Sequence, residues 1–284
     1  MVERDEKITK LTGYFKKRDD VVLAFLFGSQ AKEYARPLSD WDIGIYFTPA
    51  SPRIRELETD REYPAAHQIW ADLVKLLEAE VDLLVLNRAK PSLVFSVLNS
   101  GKQLLAKNRR LYLRLLIKTY YEAVDFWQFV HLFGRIRERS QSLAPEDRSN
   151  LIEHVIFLEN EMQDLEQFKK LTQQDYLQDR NKKRNIERWI ENLTMAAIDI
   201  GTILLSSQKQ EVPQTYREVL RALGLYYFDS SFADELAQCA ELRNILAHEY
   251  LDLRWKQIQD YIVRAQRLYP RLVAKMKEVT KISP

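Results

Sequence analysis

Val21-Val22-Leu23-Ala24-Phe25-Leu26-Phe27-Gly28-Ser29, followed after a spacer by Asp40-Trp41-Asp42-Ile43-Gly44-Ile45-Tyr46-Phe47, is the stretch that decides the fold. Seven apolar residues in a row, ended by glycine, read as a buried strand. A second strand is expected over 42–47, closed by Pro49. Residues i and i+2 of a strand share a face, about 6.6 Å apart along the chain. Asp40 and Asp42 can therefore converge on a pair of divalent cations about 3.5–4 Å apart, which hold a triphosphate against an attacking hydroxyl. Asp82 is a third candidate, an isolated acid in the apolar run 81–86. A buried carboxylate without a partner is costly, so it is expected to face a metal or another cation. Gly28 and Ser29 close the first strand, where backbone amides and the serine hydroxyl are placed to hold phosphate oxygens.

Outward from this core, helices are expected over 5–18, 65–79 and 92–99, and strands over 81–86 and 103–106. Together they make a small mixed α/β unit. From about Arg110 the strand signals stop. Residues 110–138, 149–174, 184–207, 214–223, 231–249 and 255–277 all carry helix-period apolar residues. In the third of these, Ile186, Trp189, Ile190, Leu193, Ala196, Ala197, Ile200, Ile203 and Leu204 form one stripe. The fold class is therefore α+β, a small mixed-sheet domain followed by an all-α bundle. The expected domains are 1–139, including a long closing helix, and 150–284. Residues 140–149 are a linker in which Pro145-Glu146-Asp147 starts a helix.

The chain has 284 residues, of which 46% are apolar and 30% charged, enough for two cores. A net charge of +2 gives no global argument for nucleic acid, so local features must carry one. The single cysteine, Cys239, excludes an intramolecular disulfide and a cysteine-rich zinc site. With no apolar run of 18 residues and a charged start, Glu3-Arg4-Asp5-Glu6-Lys7, a cytoplasmic protein with no membrane partner is expected.

A second motif, Arg243-Asn244-Ile245-Leu246-Ala247-His248-Glu249-Tyr250, lies near the other end. On a helix Asn244 and His248 share one face, and Arg243 and Tyr250 share another. His248 sits about 140° around the axis from Arg243. One straight helix cannot line all four on a narrow stripe, so either the arginine curls round or two copies pool their residues. The second option predicts a homodimer. The chemistry suits metal-independent RNA cleavage. A histidine near neutrality takes the proton of a ribose 2′-hydroxyl, and a guanidinium stabilises charge building on the phosphate.

Gly-Ser, a spacer, Asp-x-Asp and a later acid resemble the minimal nucleotidyltransferases of the DNA polymerase β-like superfamily. That resemblance covers about residues 5–139. It implies Gly28 and Ser29 as phosphate-binding, Asp40 and Asp42 as magnesium ligands, and Asp82 as third carboxylate and general base. ATP is the implied substrate. Where many relatives carry arginines after the Gly-Ser pair, this chain reads Gln30-Ala31-Lys32-Glu33, with Lys32 as the substitute.

The segment from Asp179 to Tyr250 resembles the HEPN domains of HepT-type toxins. The likeness rests on 181–188, on Ala197-Ile198-Asp199-Ile200, on Val212 to Glu218, and on Arg243 to Tyr250. It implies a helical bundle dimerising through the HEPN domain, and ribonuclease activity from Arg243 and His248, with Asp199 orienting them and Asn244 in support. It further implies that a minimal nucleotidyltransferase silences the toxin by adding AMP to the motif tyrosine, here Tyr250. The expectation is thus a fused antitoxin–toxin module using Mg²⁺ and ATP, with RNA as the bundle's substrate. Two other readings stand beside it. One is a small-molecule, antibiotic-type nucleotidyltransferase whose helices only build a substrate cleft; the other is a nucleotide-sensing protein without turnover. The basic clusters 102–118 and 180–188 read as solvated helix faces before they read as RNA sites.

Overall fold

The computed structural model describes residues 2–31, 40–49, 62–139, 143–248 and 255–281, with the side chains of 2, 247 and 248 left aside. It divides into two compact units, Met1–Asp125 and Phe126–Pro284. The cut falls inside a single long helix.

The first unit runs α1 (Val2–Lys16), β1 (Val21–Phe27), α2 (Gly28–Ala31), β2 (Trp41–Phe47), α3 (Pro64–Leu77), β3 (Val81–Val85), α4 (Pro91–Ser100) and β4 (Lys102–Ala106). It then enters α5 (Arg109–Arg139). The sheet order is β3-β2-β1-β4. β1 is antiparallel to both β2 and β4, while β2 and β3 are parallel, so the sheet is mixed as expected. β1 is central and apolar on both sides because both faces are covered. One face packs Val21, Ala24, Leu26, Trp41, Ile43 and Ile45 against α1 and α3, and the other packs Leu23, Phe25 and Tyr46 against α4 and the start of α5. Gly44 belongs to this second face. A Cβ there would lie 3.0 Å from Val97, so α4 sits close on β2 because that position carries no side chain.

The second unit continues α5 and adds α6 (Pro145–Met162), α7 (Leu165–Lys169), α8 (Gln173–Gln178), α9 (Arg180–Ser207), α10 (Tyr216–Tyr227), α11 (Ser230–Ala237), α12 (Cys239–His248) and α13 (Trp255–Thr280). α9 is the axis of the bundle. The nine stripe residues named above are all buried in one core with Leu151, Val155, Leu220, Tyr261 and Leu272. Gly201 lets α10 approach, since a Cβ there would lie 2.9 Å from Val219.

Two expectations change. The run 149–174 breaks into three helices: α6 ends at its C-cap Gln163, and a capping box at Thr172 and Asp175 starts α8 afresh. Periodicity missed the break because Leu158, Leu165 and Phe168 all face the same core. Likewise 231–249 breaks at Gln238, the C-cap of α11, while Leu236, Ala237, Cys239 and Ala240 stay buried across the joint. α6 starts at Pro145, where a helix start was expected. Among the described residues no helix is long and apolar enough to cross a membrane.

Candidate functional site

The N-terminal candidates meet at one end of the sheet because of strand register. Asp42 pairs with Asp82 across β2 and β3, and Phe27 pairs with Asp42 across β1 and β2. Gly28 therefore emerges beside Asp42. It has φ +66°, and a Cβ on it would lie 2.0 Å from Asp42 Oδ2. Only glycine fits, both for the backbone conformation and for the space. The four-residue turn α2 that follows carries Ser29, which is exposed, and Gln30, which is buried. Arg4 donates two hydrogen bonds to the Gln30 carbonyl, at 3.0 and 2.6 Å, and so ties this turn to α1. Neither Arg4 nor Gln30 carries a motif, and sequence reasoning passed over both.

Asp40 is exposed just ahead of β2, and Trp41 between the two acids is buried in the core. The Trp41 amide donates to the Glu80 carbonyl at 2.9 Å, which extends the β2–β3 ladder and fixes Asp42 opposite Asp82. Half-burial raises the Asp42 carboxyl above its usual range, and the charges of Asp82 and Asp40 raise it further. Asp42 is thus the shared neighbour of the other two acids. Asp82 is exposed rather than buried, because β3 is the edge strand. The argument that burial forces a cation on Asp82 therefore falls, and its place in register with Asp42 remains. Among the described residues no three His, Cys, Asp or Glu side chains are close enough to enclose a metal ion. The three acids share a sheet end without forming a closed cage. Lys32 lies outside the described residues.

The donor set nonetheless fits a divalent cation. Oxygen ligands from two or three mutually repelling carboxylates suit Mg²⁺. A cation would relieve the repulsion that half-buried Asp42 experiences.

In the second unit Arg243 lies on α12, 5% exposed, with its guanidinium 4.8 Å from the centre of the Tyr216 ring. Nη1 donates to Asn244 Oδ1 at 3.4 Å. Tyr216 opens α10 behind its N-cap Thr215 and packs on Phe126 and Phe129. In the single chain, therefore, the arginine curls inward onto an aromatic cluster. His248 is the last residue of α12 and its side chain is not described; Tyr250 lies outside the described residues. Asp199, expected to orient the pair, faces His154 of α6 with Oδ2 and Nδ1 3.7 Å apart. The basic cluster at the start of α9 is largely engaged, with Lys182 on Asp175 and Arg188 on Glu191.

These arrangements define a polymerase β-type nucleotidyltransferase domain fused to a HEPN-type helical bundle. Residues 9–110 match the family described as polymerase beta, nucleotidyltransferase, and residues 158–279 match the ribonuclease HepT-like family. A tRNA nuclease HepT of Aphanizomenon flos-aquae (strain 2012/KM1/D3) is 34% identical over 110 residues, which cover 38% of this chain and 75% of that protein. The chain belongs to the HepT-like ribonuclease family. Among solved structures, a toxin–antitoxin complex with AMP-PNP is 24% identical over 44% of this chain and 87% of its own, with a TM-score of 0.32. A tri-AMPylated Shewanella oneidensis HEPN toxin in complex with an MNT antitoxin is 20% identical, covering 45% and 88%, also at 0.32. At those scores the likeness to solved structures carries no part of the argument.

Proposed function

We propose that this chain is an antitoxin and a toxin in one polypeptide. The N-terminal domain transfers AMP from ATP to Tyr250, and the HepT-like bundle cleaves RNA, with tRNA the expected class, until that modification stops it. The observation that carries the reading is the in-register pair Asp42 and Asp82 beside Gly28, in the same chain as the Arg243–Tyr250 motif.

In the transfer, the Tyr250 oxygen bonds to the α-phosphorus, the bond to the bridging oxygen breaks, and pyrophosphate leaves. Asp82, exposed on the edge strand, accepts the tyrosine proton. Gly28 and Ser29 hold phosphate oxygens, and Asp40 and Asp42 hold Mg²⁺, which supplies charge neutralisation on the triphosphate when bound. In RNA cleavage His248 removes the 2′-hydroxyl proton, the 2′-oxygen bonds to phosphorus and the 5′-oxygen leaves. Arg243 offsets the developing charge once RNA or a second copy draws it off Tyr216. Adenylylated Tyr250, two residues from His248, places a bulky anion where the RNA phosphate must sit.

Intact mass of the purified full chain tests the transfer. Incubation with Mg-ATP adds one or more adenylates to the native chain and none to the Asp40→Ala/Asp42→Ala variant. Identical spectra for the two overturn the reading. The inward turn of Arg243 favours a second reading, in which the helical half only shapes a cleft for a small-molecule acceptor. There His248→Ala leaves every activity unchanged.

A further inference from the structure

The first unit carries an apolar seam that neither catalytic site uses. On α5, Leu113, Ile117, Tyr120 and Val124 recur at spacings of four, three and four, the repeat of a coiled-coil seam. Three of these positions are exposed, and Val124 is half-buried. Leu113 is 42% exposed, Ile117 57% and Tyr120 46%, whereas Leu115 and Thr119 on the opposite face are fully buried. Beside the seam Tyr121 is 60% exposed, and Tyr120 is steadied by ring contacts with Phe95 and Tyr121 at 5.4 and 5.5 Å.

We infer that this seam pairs α5 with α5 of a second copy of this chain, in antiparallel orientation. Seam geometry sets the register, because antiparallel helices place each first-type seam position against the second type on the partner helix. Leu113 then packs on Val124 of the other copy and Ile117 on Tyr120, and the same layers repeat by symmetry. All four residues are used and none is left over. The flank is complementary as well. Arg114 and Tyr121 occupy equivalent edge positions one heptad apart, and both are exposed. The antiparallel register brings each Arg114 over the partner's Tyr121 ring, a cation–π contact. A parallel pair would instead set Arg114 against Arg109 of the other helix, two like charges.

The area sets the strength. Aromatic side chains bury about 150–250 Å² each, so this half-exposed set offers on the order of 400 Å² per copy. Two copies fall below the roughly 1,200–2,000 Å² of stable interfaces. The pairing is weak by itself and depends on concentration, or on a second contact between the same chains.

Cysteine cross-linking of the full chain tests the orientation directly. The native Cys239 is fully buried with its thiol pushed up to about 11 by burial, so it stays silent. In the antiparallel register residue 113 of one copy meets 124 of the other, while 113 and 113 lie roughly 16 Å apart along the axis. Disulfides need Cα atoms closer than about 7 Å. The Leu113→Cys/Val124→Cys variant therefore forms a dimer band under mild oxidation, neither single variant does, and adding Ile117→Glu reduces the band at least tenfold. Cross-linking by Leu113→Cys alone means parallel pairing and overturns the inference. Absence of the band in the double variant at high protein concentration overturns it too, as does a band indifferent to Ile117→Glu. A dimer formed only through the HepT-like bundle does not set 113 against 124 and leaves the double variant without the band, so the two interfaces are told apart.

Discussion

At the sheet end of the first unit the candidate groups stand open, with Asp82 and Asp40 exposed and Asp42 half-buried. In the helical unit the candidate cation, Arg243, is 5% exposed and lies on the Tyr216 ring. A sheet places charged groups by register at strand ends, where the core stops and water begins. A helix packed among several others puts any residue on its inner face into the core, whatever its chemistry. The first unit therefore leaves its candidate groups open to solvent, while the second holds its arginine in a packing contact. Substitutions at the two sites are expected to separate along this line.

The largest effects are on chemistry. Removing divalent cations with a chelator, or making Asp42→Asn, abolishes adenylate addition measured by intact mass, while RNA cleavage persists or increases. His248→Ala lowers RNA cleavage by about 10²–10⁴-fold and leaves adenylate addition intact. A loss of both activities in either variant would break the division between the units.

Stability sharpens the comparison further. Arg243→Ala removes a buried cation from an aromatic cluster and is expected to lower unfolding free energy by about 1–3 kcal/mol in denaturant titration, besides its effect on cleavage. Asp82→Asn, on an exposed edge, changes stability by no more than about 0.5 kcal/mol yet slows adenylate transfer by about 10²-fold or more. Gly28→Ala lies between these cases. It forces a Cβ onto Asp42 at a positive φ, at a cost of about 1–3 kcal/mol, and transfer falls because Asp42 must move. The smallest effect is no effect. Cys239, buried with its thiol raised to about 11, is expected to resist a thiol reagent at pH 8 until the protein is unfolded.

Much of the fold was legible along the chain. The run 21–27 is apolar on both faces because its strand is central, and the nine-residue stripe of 186–204 is buried because α9 is the bundle axis. Breaks inside continuous apolar patterns were not legible. Separate helices that share one core keep the same periodicity, and only a capping pair such as Thr172 and Asp175 betrays the joint. At the site, Gly28, Asp42 and Asp82 could be named from type and spacing, but the support from Arg4 could not, since it holds a backbone carbonyl that any residue would offer.

The order of residues alone determined which chemical groups this protein carries and which strands and helices deliver them, because those depend on local spacing and periodicity. Tertiary structure decided which groups face solvent. Edge position left Asp82 exposed, helix packing turned Arg243 inward, and Asp199 came to face His154, a pairing set by how α6 crosses α9. Burial is a property of neighbours brought together from afar, and no local stretch of chain contains that information.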